Sequence, residues 1–197
     1  MNRQQFKGFG GVLLEADVVG DEHDPAILLI HGAGQTREVW STAIEALVQA
    51  GRRVVNLDLR GHGGSEWPSD GRYDLASHVE DLRAVLAQMG SRPVVVASTL
   101  GGWIASLALS VDGGNLAAGL VLVDMPVRSD SENARQIGER LRKAGSSDKA
   151  DWDIRALDGI DPAQVSEQVL AAAPKLNTFV RARQPANRPR SRSSFSQ

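Results

Sequence analysis

At 197 residues, 42% of them hydrophobic, and with a formal net charge of -2, the chain is long enough to bury one core and hardly two, and it offers no excess charge to a nucleic acid or an anionic membrane. The lack of cysteine excludes disulfides and thiol chemistry. The opening "MNRQQFKGFGG" has no apolar run of the kind a secretory leader needs, and no stretch approaches the ~20 apolar residues of a membrane span, so the expectation is a soluble, cytoplasmic protein whose partner is a small molecule, with no nucleic acid and no membrane involved.

In chain order, short apolar runs alternate with amphipathic ones. "VLLEADVV" (Val12 to Val19) reads as a strand, "AILLIH" (Ala26 to His31) as a buried strand, and Arg37 to Ala50 as a helix. "RVVNLDL" (Arg53 to Leu59) is a further strand and Leu75 to Met89 a further helix. "PVVVAS" (Pro93 to Ser98), a helix over Gly102 to Ser110 and "GLVLVD" (Gly119 to Asp124) complete the series. Strands this rich in Val, Ile and Leu have both faces covered, as in a parallel sheet between helical layers. The fold class is therefore α/β, a doubly wound and mostly parallel sheet, with its core within residues 1–126.

Beyond Asp124 the rhythm changes. Residues 127–174 are polar and helical in pattern, with Ser129 or Asp130 as N-caps and Asp161-Pro162 as a second helix start, and they read as a lid-like segment. Residues 175–197 are read as a basic tail: its last stretch, "RARQPANRPRSRSSFSQ", has five arginines, no acidic residue and almost nothing apolar, and the tail is expected to stay disordered. Such a tail could hold RNA or an acidic partner; a solvated tail is the plainer reading.

Three motifs carry the chemistry. "ILLIHGAGQ" puts His31-Gly32 directly after a buried strand, "DLRGHGGS" puts a glycine-rich turn after the next, and "ASTLGG" follows a third. In that order and at those intervals they resemble the α/β-hydrolase fold family of esterases, lipases and similar serine hydrolases, over about Val12 to Pro126. The resemblance implies a nucleophile elbow of the form G-x-S-x-G, a tight strand-to-helix turn that holds its apex residue in a strained backbone conformation. Small residues belong two positions either side of the apex. Ala97 and Gly101 occupy them, so the apex is Thr99; an apex at Ser98 would put Val96 and Leu100 where small residues are needed. A β-branched residue fits this turn poorly. Thr99 is thus either a hindered nucleophile or a residue that merely caps the following helix.

The same resemblance implies an oxyanion hole from the backbone N–H groups of Leu100 and Ala33, with His31 and Gly32 shaping the loop. It implies a catalytic acid after the nucleophile, for which Asp124 is the candidate, and then a histidine. No histidine follows His78, so nothing downstream of Thr99 can serve as general base. His62 reads as a turn residue, and His23 and His78 as solvated; four scattered histidines without ligand spacing suggest no metal site, and no cofactor is implied. The family carries two more strands after its lid. "AAAPKLNT" resembles the lead-in to the first, after which the chain turns basic, so the expectation is a sheet lacking its last strands, through a frameshift, a truncation or a natural extension. A sheet ending at Gly119 to Asp124 would leave an unpaired edge able to join a second copy.

Three functions remain: an ester-hydrolase relative left weak or inactive by an incomplete triad; an active hydrolase using Thr99 with a histidine from elsewhere, such as His31 or a partner chain; and a non-catalytic module that holds a small apolar ligand.

Overall fold

A computed structural model describes residues 1–110 and 115–124 and the strand at 179–182. Seven strands form one sheet: β1 (Asn2–Lys7), β2 (Leu13–Val19), β3 (Ala26–Ile30), β4 (Arg53–Leu57), β5 (Val94–Ser98), β6 (Gly119–Val123) and β7 (Phe179–Ala182). Their order across the sheet is β1-β2-β4-β3-β5-β6-β7. β2 runs antiparallel to both β1 and β4, and every pairing from β4 to β7 is parallel. Three α-helices, α1 (Ser41–Gln49), α2 (Leu75–Gln88) and α3 (Thr99–Ser110), form the described connections.

The local reasons are readable. All five residues of β3 are buried, because helices cover both faces of this central strand. α2 starts where the Asp74 carboxylate accepts the Ser77 N–H at 2.9 Å. Its buried stripe, Ser77, His78, Asp81, Leu82, Val85 and Leu86, recurs at helical spacing and lies against the core. α3 is apolar nearly all round, with nine of its twelve residues buried, as suits a helix sunk between the sheet and α2. The larger core lies on this face and includes Phe6, Leu14, Leu28, Ile30, Leu57, Leu82, Val95, Ile104 and Leu122. Each such aliphatic or aromatic side chain contributes roughly 1.5–3 kcal/mol by leaving water. A smaller cluster of Ile27, Leu29, Trp40 and Val54 lies under α1.

Two expectations need correction. β1 was not foreseen: only Phe6 of its six residues is buried, so it carries no apolar run to betray it. And the edge expected at Gly119 to Asp124 is covered, since β7 pairs with β6 from Leu120↔Phe179 to Val123↔Ala182. The sheet thus runs one strand further than composition suggested, inside the segment expected to be wholly disordered. The lid-like segment 127–174 and the rest of the tail lie outside the described residues.

Candidate active site

Thr99 stands at the junction of β5 and α3, three residues before the Gly102 start expected for this helix. Its φ is 42°, in the left-handed region that a β-branched residue avoids. That conformation costs on the order of 1–3 kcal/mol and persists only because the surrounding packing imposes it. Among the described residues the other non-glycine with positive φ is Asp124, at 51°, just past the end of the neighbouring strand β6. Among the described residues, backbone strain therefore gathers at the carboxyl ends of two adjacent parallel strands.

The glycines explain how closely the pieces fit. A Cβ at Gly32 would overlap the Thr99 hydroxyl, which places Oγ1 against the backbone of the loop that follows β3. A Cβ at Gly101 would lie 2.5 Å from the His31 carbonyl oxygen and 2.7 Å from Ile30 Cγ2, so glycine is required where α3 crosses the end of β3. Ala97 is completely buried in β5. The structure thus brings Thr99, Gly32, Gly101 and His31 together, and Leu100, buried in the first turn of α3, has a backbone N–H at a point where helices have no internal acceptor. The loop itself is closed by the Gln35 side chain, whose Oε1 accepts the Gly32 N–H at 2.9 Å, and by the Gln35 N–H donating to the Gly32 carbonyl. Ala33 is half-buried within that loop.

His31 is wholly buried, and both ring nitrogens are occupied. Nε2 accepts the Leu59 N–H at 3.0 Å, which puts the proton on Nδ1, 2.7 Å from the Gly32 carbonyl oxygen. Burial drives its pKa down to about 4, against a smaller opposing effect of the Gly32 hydrogen bond. His62 is arranged alike: Nε2 accepts from the Gly34 N–H at 3.3 Å and Nδ1 lies 2.9 Å from the Arg60 carbonyl. The two rings stand 4.9 Å apart. Both histidines are structural ties between the loops after β3 and β4. His78 departs from the solvated position expected of it: it lies on the inward stripe of α2, wholly buried, with both ring nitrogens lacking a hydrogen-bond partner.

A second set of residues escaped sequence reading because charged side chains are usually exposed. Arg37 is buried after the β3 loop, with Nε on Asp17 at 2.8 Å, one Nη on Glu15 at 2.8 Å and the other on Asp58. Asp58, wholly buried, also accepts the Arg37 N–H at 2.6 Å and the Gly64 N–H at 2.9 Å. Arg60 pairs with Asp81 of α2 through two bonds of 2.5 and 2.6 Å and also reaches the Arg72 carbonyl. These pairs pin the glycine-rich turn of "DLRGHGGS" to β2 on one side and to α2 on the other. The one sequence signal was the turn itself. Among the described residues no three His, Asp or Glu side chains converge as metal ligands would, and no helix is long and apolar enough to cross a membrane.

Comparison with known proteins agrees with this geometry. An esterase of Mycobacterium tuberculosis is 32% identical over 117 residues, which is 59% of this chain and 38% of the esterase. A mouse sn-1-specific diacylglycerol lipase is 36% identical over 108 residues, 54% of this chain and 34% of the lipase. The chain thus matches little more than a third of the length of these relatives. Among solved structures, an alpha/beta hydrolase from Novosphingobium aromaticivorans superposes with a TM-score of 0.69 at 17% identity, covering 93% of this chain and 90% of that one. The family model described as "Alpha/beta hydrolase family" matches residues 27–195, and with the strand order and the elbow already in place, the chain belongs to the alpha/beta hydrolase family.

Proposed function

We propose that the chain carries the substrate-binding half of an ester-hydrolase site, centred on the Thr99 hydroxyl, and that on its own it turns esters over weakly or not at all. The elbow geometry supports the site: a strained apex, a helix N-terminus behind it and the Gly32 loop against the hydroxyl. The N–H groups of Leu100 and Ala33 are the donors for a developing oxyanion, and Asp124 is the acid. Residues 127–174 serve as a lid over a small apolar or ester substrate, and the cytoplasm is the compartment. Relatives named as an esterase and a diacylglycerol lipase support the substrate class.

The observation that carries the weak-turnover half is the state of the histidines. A general base needs a free nitrogen within reach of the hydroxyl. His31 spends its acceptor nitrogen on Leu59 and His62 spends its own on Gly34; His78, although its ring nitrogens have no partner, is held by burial at a pKa of about 3, too weak a base for a hydroxyl, and no histidine follows it in the sequence. Loss of the base leaves only the rate that oxyanion stabilisation and binding supply, down by roughly 10⁴-fold. The same observation favours, as a second reading, a module that binds a small ligand without turning it over. The test is hydrolysis of short p-nitrophenyl esters by the purified chain, with the expected rate barely above background. Turnover of about 1 per second or more that disappears in Thr99→Ala overturns the proposal, and saturable ester binding without turnover supports the second reading.

A further inference from the structure

We propose that the groove between α1 and the β1–β2–β4 side of the sheet is a second ligand site, one that takes a small primary alkylammonium ion. The floor follows from the strand register. Arg3 pairs with Asp17 and Asp17 with Asn56, so the three side chains form a row across three strands on one face. All three line a cavity of about 510 Å³ whose opposite wall is α1. Ser41, Ile44, Glu45 and Val48 face it at helical spacing. None of Thr99, Leu100 and Ala33 lines it, so the site is separate from the elbow.

Two buried acceptors in that floor lack a donor. Asp17 and Asn56 are 5% and 2% exposed, and Oδ1 of each has no hydrogen-bond partner. Their other atoms are committed: Asp17 Oδ2 takes Arg37 Nε at 2.8 Å, and Asn56 Nδ2 donates to the Arg37 carbonyl at 2.8 Å. The second bond fixes the orientation of the amide and leaves its oxygen as the unused atom. A buried acceptor without a donor is destabilising, so a ligand that brings N–H groups recovers free energy here. Arg3 does not fill the role. Its Nε stands 3.9 Å from Asp17 Oδ1, beyond hydrogen-bond reach, and its side chain is 72% exposed and held only by this contact and a 3.7 Å pair with Glu15.

Charge and shape narrow the ligand. Arg37 is spent on Asp17, Asp58 and Glu15, while Glu38 and Glu45 add negative charge to the rim. An ammonium group has three donors and a positive charge, enough to serve both oxygens. Val19, Ile44 and Val48 then face its alkyl chain. No residue of α1 is fully buried, so this apolar wall has surface left to cover.

The test is titration of the full chain with n-pentylammonium chloride, followed by ¹H–¹⁵N correlation spectra, with n-pentanol as the uncharged control. The expected result is saturable binding that shifts the Asn56 side-chain amide resonances, with pentanol at least about tenfold weaker. Glu45→Lys, on the exposed face of α1, is expected to weaken binding several-fold without unfolding the chain, and Arg3→Gln to strengthen it by removing the competing cation. Equal affinity for pentanol, shifts that miss Asn56, or no saturable binding overturns the proposal.

Discussion

His31 and His78 make the stability of this fold steeply dependent on mild acid. Both are wholly buried, and burial holds their pKa at about 4 and about 3, with Arg60 and His62 adding to the effect at His78 and Asp74 opposing it. In the unfolded chain both return to near 6.5. The unfolded state then binds more protons at every pH between the two values. Stability is thus complete above about pH 7.5, falls as pH drops through 6.5, and levels only below the folded pKa values. At pH 5 the unfolded chain carries nearly one extra proton per site and the folded chain almost none, a loss of about 2 kcal/mol per histidine and about 4 kcal/mol together. Against a typical total of about 5–15 kcal/mol that is a large share. Asp81, whose carboxyl burial pushes up, acts with the opposite sign toward the acid end, and Asp74, held low by its bonds to Ser77, adds stability that is fully present across pH 5 to 8 and is lost only as pH falls below the ordinary carboxylate range. Urea unfolding at pH 8, 7, 6 and 5, followed by far-ultraviolet circular dichroism, measures the loss. His78→Leu is expected to remove about half of it while costing little at pH 8, because neither ring nitrogen has a partner to lose. A flat stability profile from pH 8 to pH 5 refutes the assignment of two neutral, buried rings.

Four further outcomes follow from the site. Thr99→Gly relieves a left-handed backbone at 42° and is expected to raise the unfolding free energy by about 1–3 kcal/mol, whereas Thr99→Ser is expected to change ester turnover little, since it supplies no base; a large increase shows that a histidine already present serves as one. Gly32→Ala drives a methyl into the Thr99 hydroxyl and is expected to cost about 1–3 kcal/mol, read by the denaturant midpoint. Arg37→Met leaves the buried Asp58 without its arginine and leaves Asp17 and Glu15 only the longer pairs with Arg3, and is expected to cost about 3–5 kcal/mol, with partial recovery when Asp58→Asn is added, measured the same way.

The central sheet was legible because its physics is local to each strand. "AILLI" and "VVVAS" announce their burial by composition, and every element between Leu13 and Val123 lies within a few residues of its expected place. The tight left-handed turn at Thr99 was legible too, since only small residues fit on either side of a turn so crowded, and Ala97 and Gly101 flank Thr99 alone. What stayed hidden depends on partners distant in sequence. β1 is held by register with β2 and by one buried Phe6, not by an apolar pattern. Arg37, Asp58, Arg60 and Asp81 are ordinary surface residues until the fold brings opposite charges within 3 Å. His78 sits beside Ser77 and Asp81 on a stripe whose polar residues disguise it as the outer face of α2.

The pairing of β7 with β6 sets an order of assembly. β1 and β2 meet across a short connection, while residues 124–178 must close into a loop before Phe179 can reach Leu120. Closing a loop of that length costs about 3.5 kcal/mol in chain entropy, plus a constant. A four-residue strand repays this slowly, at about 0.5–1.5 kcal/mol for each net hydrogen bond. During synthesis the strands up to β6 can therefore condense around α2 and α3 while β7 is still in the ribosome, and the outer strand docks afterwards onto a template that already exists.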